Sequence, residues 1–415
     1  MKNLISILCM GLSMLSMGLY GKNKVSGDLR WVGTRPPTDC PVSLGIPFLK
    51  GELEADGRVV LKDGGGSGIP SDCWPLAYWP DGSVKWLGVA AVVPGEAEDI
   101  RFETVGKKHK TENRSGVKVR VDEAGSFFRV STGKVEAYVP KRGSCLLDSL
   151  RCEGRTVGGQ AALLCSTQDR PSAEGGAVVH FTDYRGQVDR VSVDRAGAVR
   201  AWVRIEGRYA NDATGRKWLP FTVRFYFYAG SEQIKMVHSF VFDGDMDRDF
   251  IRSLGIRFEV PMREEVYNRH VAFATADGGV WAEPVQPLNG RRILTLDGDK
   301  GWQGRQMRGE RIPAYEKFDA KNRHLLDHWA VWNGFRLSQT TADAFSIRKR
   351  THADRPWIGT FSGTRAPGYV FAGDVSGGLG VALKDFWHSY PTALQVDSAA
   401  ARNDSLTVWM WSPDA

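Results

Sequence analysis

Runs of strand length in which apolar and polar residues alternate recur along nearly the whole of this 415-residue chain. In residues 117–121, for example, valines occupy every second position and are separated by Lys118 and Arg120. Successive side chains of a strand point to opposite faces of a sheet, so a period of two is typical of half-buried strands. No helical pattern longer than about ten residues accompanies these runs. The sequence therefore predicts an all-β fold.

Two of these runs are the best candidates for an antiparallel pair. Residues 221–228 and 234–242 are apolar and aromatic, and Gly230 and Ser231 between them favour a hairpin turn. Many strand runs separated by turn signals about every eight to twelve residues are typical of a large antiparallel sandwich. We therefore predict a central β-sandwich over residues 117–415.

Residues 24–105 carry shorter strand runs broken by glycine, proline and aspartate, and they predict a small N-terminal β-barrel or sandwich. For Trp74, Trp79 and Trp86 in this domain we favour core packing, and stacking on sugar rings is the alternative. Residues 106–116 are polar and charged without an apolar period, which predicts a linker between the two domains.

The first 21 residues have the form of a secretory leader, with Lys2 near the start, then an apolar run, then small residues. The apolar run is too short for a comfortable membrane span. Cys9 is not preceded by the small residue of a lipoprotein cleavage site, so no lipid anchor is predicted. We expect a periplasmic or extracellular protein that does not associate with a membrane after the leader is removed.

The formal net charge of +7 suits an anionic ligand. Nucleic acid is not the expected ligand, because the chain carries no helix-turn-helix, zinc-finger or RNA-binding signature.

Five cysteines follow the leader, and this odd number leaves at least one thiol without a partner inside the chain. Their spacing does not have the form of a zinc site. A disulfide between Cys145 and Cys152 is one interpretation, and small buried side chains at all five positions are the other. The five positions are Cys40, Cys73, Cys145, Cys152 and Cys165.

Two further features have both a structural and a ligand-binding interpretation. His238 lies among apolar residues of a strand run, which favours a core histidine over a ligand. Residues 243–249 carry carboxylates at alternate positions, a spacing that resembles a calcium-binding loop. Arg248 stands where such a loop needs glycine, and Leu254 stands where it needs glutamate. An aspartate-rich turn without a metal is therefore the preferred prediction, and no cofactor is expected.

Residues 341–391 combine a strand pattern with many cationic and aromatic side chains. If residues 345–351 are extended, Phe345 and Ile347 point to one face, and Arg348 and Arg350 point to the other. Arginine binds carboxylates through two parallel hydrogen bonds, and flat aromatic rings pack on sugar rings. From the pattern alone, a solvated strand face beside an aromatic core edge is the favoured interpretation, and an acidic-sugar site is the alternative.

Several motifs, both within residues 341–391 and earlier in the chain, make the chain similar to a known family. It resembles the exo-rhamnogalacturonan lyases of polysaccharide lyase family twenty-six and their bacterial relatives. The similarity covers nearly all of the chain after the leader. The motifs are residues 74–86 (WPLAYWPDGSVKW), 227–238, 243–245 (DGD), 249–255 (DFIRSLG), 345–351 (FSIRKRT) and 384–391 (KDFWHSYP). The resemblance implies a RIFT-like N-terminal β-barrel followed by a large antiparallel β-sandwich. In that family an α/α toroid follows, and since this sequence ends about where the toroid would begin, we expect a fragment or a shortened relative.

The resemblance also implies cleavage beside a uronic acid by β-elimination. That reaction needs neutralisation of the carboxylate, a base for the C5 proton and an acid for the leaving oxygen. From residue type and spacing we assign catalytic roles to three residues: His388 as the base, Tyr390 as the acid and Arg350 as part of a carboxylate clamp. His388 and Tyr390 share one face if their run is extended. The residues expected to bind substrate are Arg348, Lys349, Arg365, Lys384 and Trp387.

Two other functions remain open from the sequence. A glycan-binding or scaffold module would give affinity without any product. A glycoside hydrolase would need two carboxylates at a set separation, which the sequence does not reveal. The expected partner is an acidic polysaccharide or oligosaccharide.

Overall fold

The computed structural model describes residues 24–106, 116–171, 178–288 and 301–414. The predicted leader and nearly all of the predicted linker lie outside these residues. Within the described ranges, no helix is both long enough and apolar enough to cross a lipid bilayer.

The N-terminal domain is a small barrel of short antiparallel strands. The strands are β1 (Ser26–Leu29), β2 (Cys40–Pro47), β3 (Arg58–Asp63), β4 (Gly68–Ile69), β5 (Ser71–Tyr78), β6 (Val84–Val93) and β7 (Ile100–Val105). They form two sheets, of order β1-β7-β3-β4 and β2-β6-β5. Every second residue of β6 is buried, so that one face of this strand packs into the barrel core. The buried residues are Leu87, Val89, Ala91 and Val93.

The three tryptophans of the barrel contradict the prediction of core packing. None of them belongs to the buried barrel core. Trp86 is 41% exposed, and Trp79 donates its indole N–H to the carbonyl of Phe48 at 3.0 Å near the surface. Trp74 covers Gly88 so closely that a Cβ there would lie 2.3 Å from the indole. For Trp74 and Trp86 the reason is the strand period, which places them on the outer face of the β2-β6-β5 sheet, whereas Trp79 lies between β5 and β6.

The central domain is a two-layer sandwich, and the all-β prediction of a barrel followed by a large antiparallel sandwich is confirmed. One layer is an eleven-stranded sheet of order β17-β16-β15-β14-β13-β18-β27-β26-β21-β22-β23. Its strands are β13 (Ala161–Gln168), β14 (Phe181–Ala196), β15 (Arg200–Ala210), β16 (Lys217–Tyr228), β17 (Ile234–Phe240), β18 (Phe250–Pro261), β21 (Gly334–Thr341), β22 (Ala344–Arg350), β23 (Ile358–Gly363), β26 (Thr392–Asp397) and β27 (Asn403–Trp411).

Two smaller sheets form the other layer. The first has order β12-β11-β10-β9-β8, and the second has order β20-β19-β24-β25. The strands are β8 (Arg120–Ala124), β9 (Phe127–Ser131), β10 (Val135–Pro140), β11 (Ser149–Cys152), β12 (Arg155–Gly158), β19 (Arg269–Ala274), β20 (Val280–Pro284), β24 (Tyr369–Asp374) and β25 (Gly377–Ala382). One buried apolar cluster joins both small sheets to the large one. We call the face of the large sheet that points away from this core the outer face.

The predicted hairpin is present as β16 and β17, which pair from Phe221 opposite Phe240 to Phe227 opposite Ile234. The described helices are short and lie between β20 and β21. They are α1 (Trp302–Met307) and α2 (Ala320–His328), and 3-10 turns occur at Val266–Asn268, Ala276–Gly278 and Tyr315–Lys317. The absence of a long helical pattern in the sequence therefore agrees with the described elements.

The barrel docks on the outer face of the large sheet, at the start of β15. Asp72 accepts the backbone N–H groups of Val199 and Arg200 at 2.8 and 2.7 Å. Ser43 Oγ lies 2.7 Å from Arg200 Nη1 and 2.8 Å from the Tyr228 hydroxyl. The contact between the domains is therefore polar as well as aromatic.

All five described cysteines are free thiols, so the Cys145–Cys152 disulfide is not formed. Only Cys165 is fully buried, and burial raises the pKa of its thiol to about 12. The other four are half-buried, so the alternative of small buried side chains holds only for Cys165.

His238 has the apolar environment that the sequence favours. It packs against the rings of Phe221 and Phe240, and its Nε2 lies 3.2 Å from the Tyr209 hydroxyl. Burial lowers the pKa of His238 to about 4, so the ring is neutral near pH 7.

The aspartate-rich segment that follows is a turn held by arginines. Arg208 pairs with Asp243 at 2.9 Å, and Arg216 makes two hydrogen bonds of 2.6 Å to Asp249. The backbone N–H of Asp245 also donates to Asp249, at 2.8 Å. These carboxylates are therefore occupied by protein donors.

Candidate functional site

The outer face of the large sheet carries the first part of the predicted site. The alternation predicted for β22 is present, because Phe345 and Ile347 are buried and Arg348 is exposed. Arg336 of β21 lies directly opposite Arg348, and Gln395 of β26 lies opposite Arg336. Neighbouring strands are about 4.8 Å apart, so the outward side chains of these three strands form one surface.

Arg350 is fixed on this surface by three partners. Its Nη2 lies 3.3 Å from Asp397 Oδ1, and its Nη1 donates to the carbonyl of Ala353 at 2.8 Å. The guanidinium also stacks on Trp357, 4.2 Å from the ring centroid. Gly334, opposite Arg350, leaves the required space, because a Cβ there would lie 3.1 Å from Arg350 Cγ. Arg350 therefore has a fixed position and a counter-ion.

A hydrogen-bonded chain holds Asp397 from its other side. Gln395 donates its amide N–H to Asp397, and its Oε1 accepts the indole N–H of Trp409 at 3.2 Å. The chain therefore orients the Trp409 ring and the Asp397 carboxylate relative to Arg350.

Arg336 is more deeply placed, with a side chain that is 11% exposed. It pairs with Asp414 at 2.8 Å and donates to the hydroxyls of Ser338 and Ser412 at 3.2 and 3.0 Å. Burial lowers the pKa of Arg336, and Asp414 opposes this change. Its charge is therefore balanced within the protein.

We call this group the outer-face cluster; it consists of Arg336, Arg348, Arg350, Trp357, Gln395, Asp397 and Trp409. Arg348 differs from the other two arginines because it has no ion pair with a described carboxylate. An exposed guanidinium between two fixed ones, with two indole rings nearby, is suited to bind a carboxylate carried by a sugar ring.

Lys349 lies on the opposite face from Arg348 and Arg350. It forms an ion pair with Glu283 of β20 and sits 3.9 Å above the Trp332 ring. Its side chain is 13% exposed. This position links the two layers of the sandwich and leaves Lys349 outside the surface that the arginines form.

Residues 384–389 form a turn, which contradicts the extended geometry used to place His388 and Tyr390 on one face. The backbone N–H groups of His388 and Ser389 both donate to the carbonyl of Asp385 at 3.0 Å. Asp385 has a φ of 56°, in the left-handed region, which ends the extended run. Lys384 pairs with the Asp385 carboxylate at 3.7 Å. The alternation argument therefore does not apply to this stretch.

Three of the predicted site residues do meet at this turn. Arg365 pairs with Asp343 at 2.8 Å, and its guanidinium lies 4.3 Å above the Trp387 ring. The ring of His388 stacks on the Trp387 indole, with the two ring centroids 3.5 Å apart. We call Asp343, Arg365, Trp387 and His388 the turn cluster.

The outer-face cluster and the turn cluster lie toward opposite ends of β22. Asp343 directly precedes this strand and Arg350 ends it, so they are roughly 20 Å apart along the chain direction. Ser412 links the two regions, because its hydroxyl accepts from Arg336 and its backbone N–H donates to the carbonyl of Pro391 at 2.9 Å. Tyr390, next to Pro391, is 47% exposed. One sugar ring therefore cannot contact Arg350 and the Asp343–Arg365 pair together.

Sequence reasoning missed Arg336, Gln395, Asp397 and Trp409. The signal for the first three is the same alternation that identified Arg348, since they lie between buried Phe335 and Leu337, or beside buried Leu394 and Val396. What alternation does not give is the strand order, which brings β21, β22, β26 and β27 side by side.

Metal-ligand geometry is not found in the part of the chain that the structure describes. No group of three or more histidine, cysteine, aspartate or glutamate residues there is arranged to hold a metal ion.

Comparison with known proteins gives matches over both domains. Residues 25–104 match the model described as the PcRGLX-like N-terminal RIFT barrel domain. Residues 119–415 match the PcRGLX-like protein central beta sandwich domain. The chain is also 31% identical over 397 residues to the uncharacterized protein YetA of Bacillus subtilis (strain 168). That alignment covers 93% of this chain and 44% of the relative, so the chain spans less than half the length of the curated relative it matches.

Proposed function

Because this chain belongs to the exo-rhamnogalacturonan lyase-like family of PcRGLX-like proteins, we propose that it is a carbohydrate-active protein that binds uronic-acid-containing glycans of the rhamnogalacturonan type. The observation that carries this proposal is Arg348, an exposed arginine without a described counter-ion on a surface of fixed arginines and tryptophans. A uronate carboxylate supplies the missing negative charge, and its sugar ring supplies an apolar face for the indoles.

For β-elimination, the two clusters take different tasks. The base must reach the C5 proton of the same uronate whose carboxylate is neutralised. At the turn cluster, His388 is the proposed base, Tyr390 the proposed acid, and Arg365 with Lys384 the proposed carboxylate contacts. Trp387 supports the sugar ring there. The outer-face cluster then holds another uronate of the same glycan.

Glycan binding without catalysis is the second candidate, and two contacts favour it. Arg365 is already paired with Asp343, and one face of the His388 ring is covered by Trp387. A carboxylate clamp and a base that are both engaged need rearrangement before they can act on a substrate.

The test uses the purified chain without its first 21 residues, mixed with rhamnogalacturonan I. Binding is measured by isothermal titration calorimetry, and ultraviolet absorbance follows the double bond that elimination creates. Rising absorbance that is lost in His388→Gln supports the lyase proposal, binding without absorbance supports the second candidate, and new reducing ends without absorbance indicate hydrolysis instead.

Arg348→Gln tests the site itself. A lost charge-assisted pair predicts an affinity that is about tenfold lower. Arg58→Gln is the matched control, because Arg58 is an exposed arginine of the barrel. Equal affinity of both variants for the glycan would remove the outer-face cluster from the proposal.

Secretion belongs to the same proposal, since a rhamnogalacturonan substrate lies outside the cell that degrades it. N-terminal sequencing of the protein from its native host tests it: a start near residue 22 supports secretion, and a start at Met1 contradicts it.

A further inference from the structure

A second cationic and aromatic surface lies where the barrel meets the outer face of the large sheet. We call it the junction niche, and it is lined by Trp74, Arg195, Arg200, Trp202, Arg224 and Tyr226. Two guanidinium groups, those of Arg195 and Arg200, lie over the Trp74 ring at 4.9 and 4.2 Å. The niche therefore takes one wall from each domain.

Arg200 is the unusual residue of this niche. It is 4% exposed, yet it has no ion pair with a described carboxylate. Its Nη1 donates to Ser43, but its buried Nε has no hydrogen-bond partner. The rings of Trp202 and Tyr226 lie 5.4 and 5.3 Å from its guanidinium and offset part of the burial cost. A buried charge that lacks an opposite charge is costly, which indicates that a partner is missing.

Other cations in and beside the niche also lack a close ion pair. Arg195, Arg224 and Lys235 make no ion pair with a described carboxylate, and Lys235 lies 5.8 Å from the Tyr226 ring. The Asp72 carboxylate, which lies beside the niche, already accepts the backbone N–H groups of Val199 and Arg200.

An ordinary solvated strand face does not explain why these cations lack carboxylate partners. Arg204 lies directly opposite Arg224 on the same face, and it pairs with both Asp194 and Glu206 at 3.0 and 3.3 Å. The protein therefore supplies carboxylates to the arginine beside the niche and not to those inside it.

The unsatisfied groups of the niche are all donors. They include the indole N–H of Trp202 as well as Arg200 Nε. A ligand that complements them must bring acceptors and negative charge, and the aromatic rings suit the apolar face of a sugar. We propose that the junction niche binds a second carboxylate-bearing sugar unit, in addition to the one at the outer-face cluster.

The choice of a uronate as ligand rests on the proposed function. β16 and β22 are eight strand spacings apart in the large sheet, so the two surfaces are roughly 40 Å apart along it. A glycan that contacts both must be a long, extended chain, whereas a short oligosaccharide occupies each surface separately. The number of short oligosaccharides bound per protein molecule therefore shows whether one surface or both surfaces bind.

The experiment is isothermal titration of the full chain with short rhamnogalacturonan oligosaccharides that cannot span both surfaces. The wild type is expected to bind two molecules, and Arg224→Gln/Lys235→Gln is expected to bind one. Lys235 is exposed and Arg224 is half-buried, so the double variant should fold. Lys50→Gln/Arg58→Gln, which changes an exposed lysine and an exposed arginine of the barrel, is the control and should still bind two.

Arg348→Gln separates the two proposals. If it also binds one molecule, both surfaces are sites. If the wild type binds one molecule and only Arg348→Gln loses it, the niche proposal is overturned and the outer-face cluster stands. If only the niche variant loses it, the outer-face cluster is wrong and the niche stands. No binding by the wild type overturns both. With long chains that contact both surfaces, loss of the niche should lower the affinity about a hundredfold or more, because one of two linked contacts is removed.

Discussion

At the scale of single residues, Asp404 of β27 is a carboxyl group in an apolar setting. It is 1% exposed, and no side chain pairs with either of its oxygens. Burial raises the pKa of Asp404 well above its usual range, and Asp397 adds to this, while the Ser405 backbone N–H and Arg269 oppose it. In the unfolded chain the carboxyl titrates near pH 4, about its usual value.

The sign of the pH effect follows from these two states. Since the folded-state pKa is the higher one, the folded protein keeps a proton that the unfolded chain releases. The stability present below about pH 4 is therefore lost as the pH rises toward the folded-state pKa. Asp404→Asn removes the titration, so the variant should be more stable than the wild type by about 1 to 3 kcal/mol near pH 8. Near pH 5 the gain should be smaller, at about the lower end of that range.

Urea unfolding at the two pH values measures this difference. Asp99→Asn, an exposed aspartate of the barrel, is the control and should change stability little at either pH. A gain for Asp404→Asn that is the same at both pH values would show that the carboxyl does not titrate in this way.

Lys349 forms an ion pair with Glu283 on the inner face of the large sheet, so we expect it to contribute to stability. Lys349→Met should lower the free energy of unfolding by about 2 kcal/mol, since it leaves Glu283 largely buried without a cation. Glycan affinity should not change. Lys349→Met/Glu283→Gln should recover part of the stability, as chemical denaturation would measure. A loss of glycan affinity without a loss of stability would return Lys349 to the binding surface.

At the scale of elements, the helical segment between β20 and β21 is fixed by buried amides. Gln306 of α1 donates to the carbonyls of Tyr267 and Gln286 at 2.6 and 3.0 Å. Its Oε1 accepts the backbone N–H of Leu288 at 2.9 Å. One side chain therefore satisfies three backbone groups around a small apolar core separate from that of the sandwich.

Gln306→Met keeps the volume of this side chain but leaves these backbone groups without partners. We expect the free energy of unfolding to fall by about 2 to 4 kcal/mol, because each buried unsatisfied group is costly. Hydrogen exchange should become faster in residues 301–328 before it changes in the large sheet. Gln303→Met, at an exposed position of the same helix, is the control. Unchanged exchange in this segment would mean that the amide network does not hold it.

The elements also show what the sequence could and could not reveal. Alternation predicted the strands and the outward direction of Arg348, because burial on one face imposes a period of two. It failed at residues 384–389, where Asp385 takes a left-handed backbone conformation that interrupts an otherwise strand-like composition. It also gave no partner for Lys349, since Glu283 is distant in sequence and meets it only through packing of the two layers. The ion pairs of Arg350 with Asp397 and of Arg365 with Asp343 could not be predicted for the same reason, because each pair joins residues that are distant in the sequence.

At the scale of the whole molecule, the barrel and the sandwich meet through few but specific contacts. Asp72 holds the backbone at the start of β15, and Trp74 lies between Gly88 of the barrel and Arg200 of the sandwich. The sequence suggested a linker between two domains and gave no sign of this contact, because each partner is an ordinary surface residue of its own domain. The docking determines the shape of the junction niche, so stability of the contact and ligand binding there are coupled.

Asp72→Ala tests the docking directly. It removes the acceptor of the backbone N–H groups of Val199 and Arg200, so it should weaken the contact by about 1 to 3 kcal/mol. Calorimetry should then show the barrel melting before the sandwich, while the wild type melts with the two domains coupled. Asp99→Ala in the same barrel should leave the melting profile unchanged.

If a short uronate oligosaccharide bound in the niche bridges both domains, it should bring the two transitions of Asp72→Ala closer together, because a ligand that binds only the docked state stabilises it. Transitions that stay apart with the ligand present would mean that the ligand contacts only one domain, and coincident transitions without it would mean that Asp72 does not hold the domains together.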